Sequence, residues 1–263
     1  MATIAQNLET LSEGIADIKE NLGLSEDASL SDIVTKSATD SQEYADCLSI
    51  SNSILAGGVS PVSGAYVYYE GTNLNDKSGN NKNGTLTGSY STSQKGIIFS
   101  GGYGTTGNIS SARGTWEMYC KVNSNFSPRN SQNWFECSCI MGCELAQQQQ
   151  DFGIVIDSSG YVAIGYGMTD ISSTTTKIND GNFHHLVITT SNSDLKLYVD
   201  GELAKTVTFQ MTGSIPTNYG IFWNKSSNTT SVAGEVQLFR YYTTALTSSE
   251  VLKNYRAVTA SES

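Results

Sequence analysis

The chain has 263 residues, with 15 Lys and Arg against 25 Asp and Glu, a formal net charge of −10, and 38% hydrophobic residues. It is long enough for one large β-domain plus an additional segment and apolar enough to build a core. The acidic balance and the lack of a clustered Lys/Arg run exclude an ordinary nucleic-acid binder, and no stretch approaches the roughly 20 consecutive apolar residues of a membrane-spanning helix.

Charge is unevenly placed. Residues 1–46 hold ten acids and two bases, a net −8, and the remaining 217 residues a net −2. The N-terminus, Met1-Ala2-Thr3-Ile4, turns acidic without a basic stretch followed by an apolar one, so no secretory signal is predicted. Five cysteines, Cys47, Cys120, Cys137, Cys139 and Cys143, cannot all pair within one chain and show no CxxC spacing. Reduced thiols in a protein made in a cytoplasm are the simpler expectation.

The acidic leader reads as helix. Ile4, Leu8, Leu11, Ile15, Ile18 and Leu22 are spaced 4, 3, 4, 3, 4, a heptad seam. A lone helix of about 20 residues with so narrow a stripe is marginal in water, so the seam predicts self-association; packing on the chain's own body is the alternative. Mixed Ile and Leu at both seam positions permit a trimer or a larger bundle. Gly14 inside this helix costs roughly 1 kcal/mol relative to Ala. Gly23 stops the helix, and Ser29 with Asp32 forms a capping box for a short second one with Leu30, Ile33 and Val34. The predicted organisation is a helical oligomerisation and anchoring segment at 1–37, a Ser/Ala/Asp/Gly-rich linker at 38–62 and a β-domain at 63–263.

From Ala65 the text becomes short apolar or alternating runs between Gly, Asn, Asp and Ser. Strands are predicted at 65–69, 96–99, 115–122, 152–156, 161–166, 184–189, 195–199, 219–223 and 236–242. Almost no helix intervenes, which means an antiparallel sandwich or barrel. Asp200-Gly201 between Leu195–Val199 and Glu202–Val207 predicts a two-residue type I′ hairpin, and Thr247…Glu250 a capping box opening one short C-terminal helix.

These residues carry a family resemblance. Asp180-Gly181-Asn182-Phe183-His184-His185-Leu186-Val187-Ile188-Thr189, followed by Leu195-Lys196-Leu197-Tyr198-Val199-Asp200-Gly201, resembles the signature of concanavalin A-like, laminin-G-like jelly-roll domains. Asp76–Leu86 upstream is similar to that family's opening loop, and Phe239–Thr247 with Glu250 downstream to its closing strand and helix. The resemblance spans roughly 65–257 and implies a mainly β, two-sheet antiparallel jelly-roll sandwich, with ligands met on the concave face or its rim. More weakly, Ile15-Ala16-Asp17-Ile18-Lys19-Glu20-Asn21-Leu22-Gly23 and the following helix resemble the N-terminal segments of bacteriophage tail or head fibre proteins.

Endoglucanases of the same fold resemble one another in a Glu-x-Asp-x-x-Glu strand, and glycosidases need two carboxylates flanking the scissile bond. That spacing is absent: Glu117 and Glu235 stand alone on their strands, so no enzymatic activity is expected unless carboxylates meet from separate strands. His184 and His185, adjacent in a strand, point to opposite faces and do not share a metal. Cys137, Cys139 and Cys143 offer three thiolates, but Phe135, Cys137, Cys139 and Met141 alternate as one strand face does, so core packing is preferred to zinc. Asp76, Ser78 and Asn80 resemble the start of a calcium loop, yet position twelve is Thr87, which excludes an EF-hand and favours an Asn/Gly turn. Calcium held by carboxylates from distant loops stays open.

Sugar binding needs an aromatic face beside a few amides or carboxylates. The candidates are Trp134 with Asn133, Tyr161, Tyr166, and Trp223 with Asn224, each of which also suits a sandwich core; Trp116 reads as core. The expectation is a non-enzymatic, trimeric bacteriophage virion appendage of tail- or head-fibre type, assembled in the host cytoplasm. Its leader contacts other virion proteins and its lectin-like domain binds host-surface glycans. The alternatives are a capsid decoration protein without glycan binding and a glycoside hydrolase.

Overall fold

A computed structural model gives the architecture. It describes residues 60–260 except 110, 130, 132, 145–150, 168–169, 192–193, 209–216 and 226–230, and seven positions before residue 60; the side chains of 224 and 225 are not described. The chain divides into two compact units, Met1–Val59 and Ser60–Ser263. In the first, the backbone at Ile15 and Lys19 is helical. The box at Ser29 and Asp32 forms: Asp32 Oδ2 accepts from Ser29 N–H at 2.7 Å, and Ser29 Oγ from Asp32 N–H at 3.2 Å. The seam positions Ile4, Leu8, Leu11, Ile18 and Leu22 lie outside the described residues.

The second unit is mainly β. Among the described residues its strands are β1 (Val67–Glu70), β2 (Thr85–Thr87), β3 (Tyr90–Thr92), β4 (Ile97–Phe99), β5 (Tyr103–Thr105), β6 (Gly114–Val122), β7 (Ser138–Cys143), β8 (Phe152–Ile156), β9 (Tyr161–Tyr166), β10 (Asp170–Lys177), β11 (Phe183–Thr190), β12 (Asp194–Val199), β13 (Glu202–Thr208), β14 (Gly220–Ile221), β15 (Asn224–Lys225) and β16 (Gly234–Tyr242), closed by helix α1 (Ser248–Ala260). Sheet A runs β13-β12-β11-β6-β16-β4-β3, with β1 also on β16; sheet B runs β10-β9-β8-β7-β14-β5-β2, with β15 also on β7. The main ladders are antiparallel and β15 alone among the described strands pairs in parallel, on β7. The two sheets make a jelly-roll-like sandwich.

Alternation decides which side chains fill it. In β6, Trp116, Met118, Cys120 and Val122 point inward while Glu117, Tyr119 and Lys121 point out. Trp116 sits at the centre, with the rings of Phe152, Tyr219 and Tyr241 at 4.9, 5.0 and 4.9 Å. Each such pair contributes about 0.5–1.5 kcal/mol beyond the area it buries. The Asp200-Gly201 hairpin forms as expected, with φ of 53° and 85° and Val199 opposite Glu202.

Two strand readings are corrected. The run 219–223 shortens to β14 because Phe222 takes φ 56°, a kink that buries its ring against Phe99. The alternation of Phe135, Cys137, Cys139 and Met141 on one face fails as well. Phe135 belongs to a 3-10 turn, and a bulge between Cys139 and Met141 sends Met141 to the sandwich core while Cys137 and Cys139 stay on the outer side.

Candidate functional site

The outer face of sheet B is built on glycine. Val162 and Ile164 of β9 enter the core, so Ala163 and Gly165 face out. Gly165 pairs with Gly153 of β8, Gly153 with Gly142 of β7, and Gly142 with Gly220 of β14, giving four glycines in register across neighbouring strands. The turn Trp134–Glu136 lies on this bed. A Cβ at Gly165 would stand 2.5 Å from Trp134 Cβ, and one at Gly153 3.1 Å from Trp134 Cζ3. The indole Nε1–H donates to Gly167 O at 2.7 Å, and Ser131 Oγ holds Glu136 Oε2 at 2.6 Å.

Trp134 is therefore 0% exposed, packed with Cys137, Cys139, Val155 and Ala163. This corrects its place as a sugar platform: the indole plugs the middle of the face. Burying an indole of 150–250 Å² at ~25 cal/mol per Å² stabilises by at most about 4–6 kcal/mol. Asn133 precedes the turn with no side-chain cap bond.

The other candidates separate. Tyr166 turns inward and packs against the main core, so it is not on this face. Tyr161 faces out at the β9 corner, with Lys177 Nζ 5.2 Å over its ring. Trp223 emerges after the Phe222 kink and stacks on Tyr103, with centroids 4.2 Å apart and planes at 23°. Gly104 faces the core against Leu74 and Ile221, which turns its neighbours Tyr103 and Thr105 outward. Asn224 joins through its backbone, opposite Gly142. The Tyr161 and Tyr103 strands lie four steps apart, about 19 Å at ~4.8 Å per step, with the Trp134 plug between, so they do not share one sugar. The Tyr103–Trp223 pair, half-buried and stacked, presents a flat aromatic surface on this face. Sequence reading missed Tyr103; its signal was Gly102-Tyr103-Gly104, a ring whose neighbours clear the inner face.

Charged groups are mostly committed elsewhere. Glu117, 1% exposed, accepts from His185 Nε2 at 2.9 Å and Arg240 Nη1 at 3.2 Å through Oε1, and from Asn254 Nδ2 at 2.8 Å through Oε2. Burial opposes its ionisation, but the His185 bond and the Arg240 guanidinium outweigh it and hold the carboxyl below its usual range. Glu117 is thus not alone, as its strand had suggested. Glu235 is held by Ser93 Oγ at 2.6 Å and Lys121 Nζ at 3.2 Å. His184 and His185 do part to opposite faces: His184 takes Asp200 at 2.8 Å and Asp180 at 3.3 Å.

Asp76 spends its oxygens on its own loop, accepting from the N–H groups of Tyr68, Ser78 and Lys82 at 3.0, 3.0 and 2.8 Å. These are the Asx-type loop bonds expected of a turn there. Among the described residues no group of three or more His, Cys, Asp or Glu is placed to hold a metal, and no helix is long and apolar enough to cross a membrane. Burial pushes the thiols of Cys120, Cys137 and Cys139 up, which keeps them protonated and inert. Two carboxyls meet at the ends of the β7–β8 connection. Glu144 at the end of β7 is pushed up to about 8, first by burial and then by the charge and hydrogen bond of Asp151 before β8.

Residues 100–252 match the model of the concanavalin A-like lectin/glucanases superfamily. The chain belongs to this superfamily. No curated protein matches it in sequence. Solved structures share the superfamily fold at low identity. Domain 4 of AbnA, a GH43 extracellular arabinanase from Geobacillus stearothermophilus, in complex with arabinotriose, is 19% identical with a TM-score of 0.56, covering 73% of this chain and 98% of that one. Trypanosoma rangeli sialidase in complex with DANA is 17% identical at TM-score 0.59, over 76% of this chain and 34% of the sialidase. A structure of botulinum neurotoxin type C, whose cell entry depends on two ganglioside molecules, is 13% identical at TM-score 0.52, over 73% of this chain and 51% of the toxin chain. The chain thus spans about a third of the sialidase and half of the toxin chain.

Proposed function

We propose that the protein is a non-enzymatic glycan-binding appendage of a bacteriophage virion, whose superfamily domain meets host-surface sugars at the Tyr103–Trp223 platform. The observation that carries the binding role is that stacked pair on the outer face of sheet B. It offers a flat aromatic surface to the apolar side of a pyranose, with Thr105 beside it to reach a hydroxyl. The oligosaccharide complex of the arabinanase domain and the ganglioside dependence of the toxin support the ligand class.

The leader's heptad seam supports a trimeric anchor to other virion proteins, assembled in the host cytoplasm. Three weak sites on one bundle raise avidity by about 10²–10⁴. With −8 on residues 1–46, the socket on the particle is basic and attachment weakens as salt rises. A glycan array with the full chain tests the binding role. Trp223→Ala should cut array signals at least tenfold while the protein stays folded, and deletion of residues 1–22 should leave a monomer by light scattering. Array silence across host polysaccharides would favour a capsid decoration protein. Steady release of reducing ends, abolished by Glu144→Gln, would replace binding with hydrolysis.

A further inference from the structure

Sheet A carries a recess on its outer face, away from the Trp223 platform. Strand β16 keeps β6 on one edge, but its other edge passes from β4, ending at Val236, to β1, starting at Leu238. Between them Gln237 is a bulge against β6, and its carbonyl accepts from Gly71 N–H at 3.0 Å. The hand-over leaves a gap beneath the C-terminal turns of α1, with a volume of about 440 Å³. That lies within the roughly 300–1,000 Å³ of small-molecule clefts, and bulges recur beside binding sites.

The lining has the composition a sugar requires. Tyr119 and Leu238 of the sheet and Val258 of α1, all buried, form apolar walls, and the half-buried Tyr68 ring stands beside them. Arg240 fixes that ring, its Cζ 4.8 Å over the centroid. Glu70, Gln237 and Lys95 stand at the rim, so acceptors and donors both face the space. A sugar hydroxyl is donor and acceptor at once and needs both. The charge of Glu70 is matched by Lys77 Nζ at 3.1 Å, and that of Arg240 by Glu117 at 3.2 Å. The paired Glu70 and Arg240 present no net charge to the space, and with the exposed Lys95 set against the Glu70 carboxylate at the rim the recess suits a neutral ligand better than a uronic or sialic acid.

We propose that this recess is a second carbohydrate site, taking one neutral pyranose with its apolar side on Tyr68 and Leu238 and its hydroxyls toward Glu70, Gln237 and Arg240. It rests on the glycan-binding reading above for its ligand class, but on separate residues. One domain then holds sugars on both outer faces of the sandwich and bridges two glycan strands.

Saturation-transfer NMR on the full chain with methyl pyranosides, neutral oligosaccharides and sialylated or uronic-acid oligosaccharides tests it. In Trp223→Ala a saturable signal from neutral sugars should remain. Adding Ala257→Trp, which fills the recess from a half-buried helix position, should weaken that signal at least tenfold. Gln237→Leu gives the milder check, with circular dichroism confirming the fold in each case. If Trp223→Ala alone removes all binding, or the added substitutions change nothing in a folded protein, the recess is not a sugar site while the platform stands. If the remaining signal comes only from acidic sugars, the neutral assignment is wrong. No binding to the wild type overturns both sites.

Discussion

The two outer faces of the sandwich are both roofed, by opposite means. Sheet A is covered by α1 over a buried polar cluster in which one carboxylate serves His185, Arg240 and Asn254. Sheet B is covered by a single turn whose indole lies on glycines. The first roof depends on bonds, since each buried charge is tolerable only while its partners remain; the second depends on volume, since the bed is flat only while no Cβ stands on it. Each should therefore fail to a different class of substitution.

The largest effect is expected at Glu117. Glu117→Ala leaves Arg240 and His185 buried without their acceptor and should cost about 3–5 kcal/mol in urea unfolding. A loss below 1 kcal/mol would mean that water reaches the cluster and that the roof of sheet A does not rest on its bonds. Next, Gly165→Ala places a methyl group 2.5 Å from Trp134 Cβ. It should cost about 1–3 kcal/mol and shift tryptophan emission to the red as the turn lifts. Unchanged emission at unchanged stability would show the bed to be deformable, and the two roofs would no longer differ in kind.

The smallest effect is at His184, outside both roofs. Its hydrogen bond to Asp200, with the charges of Asp200 and Asp180, raises its pKa above 6.5 against the opposing effect of burial. A folded-state pKa above the unfolded one means that the contribution is fully present below about pH 6.5 and is lost as pH rises through the higher folded value. Thermal unfolding of wild type against His184→Gln should therefore differ at pH 5.5 and converge by pH 9. A gap that widens with pH would reverse the assignment.

What the sequence disclosed follows the range of each signal. The bounds of β8 and β9 were legible because short apolar runs are closed off by polar turns, and the box at Thr247 and Glu250 because it spans three residues; Glu250 Oε2 accepts from Thr247 N–H at 2.8 Å. The partners of Glu117 lie 68, 123 and 137 residues away, so nothing near it announced a cluster. Trp134 was misread for the same reason: its seat is made by glycines on separate strands, whose register is a property of the ladder and not of any window. Strands β2, β3 and β5 have three residues each and too few apolar side chains to show a period. Of the stacked pair on sheet B, proposed above as a sugar platform, the sequence singled out Trp223 and not Tyr103, because their stacking depends on the Phe222 kink.

The start of the domain is stitched to its end. Val62 N–H donates to Asn254 Oδ1 at 2.7 Å, and its carbonyl accepts from Tyr242 Oη at 3.1 Å. Asn254 also donates to Tyr242 Oη at 3.1 Å and reaches Glu117 at 2.8 Å. Any pull on the backbone before residue 60 enters the domain at Val62 and is passed to the last strand, the closing helix and the central strand together. The sandwich is gripped like a bolt through its middle layers and is not peeled from an edge.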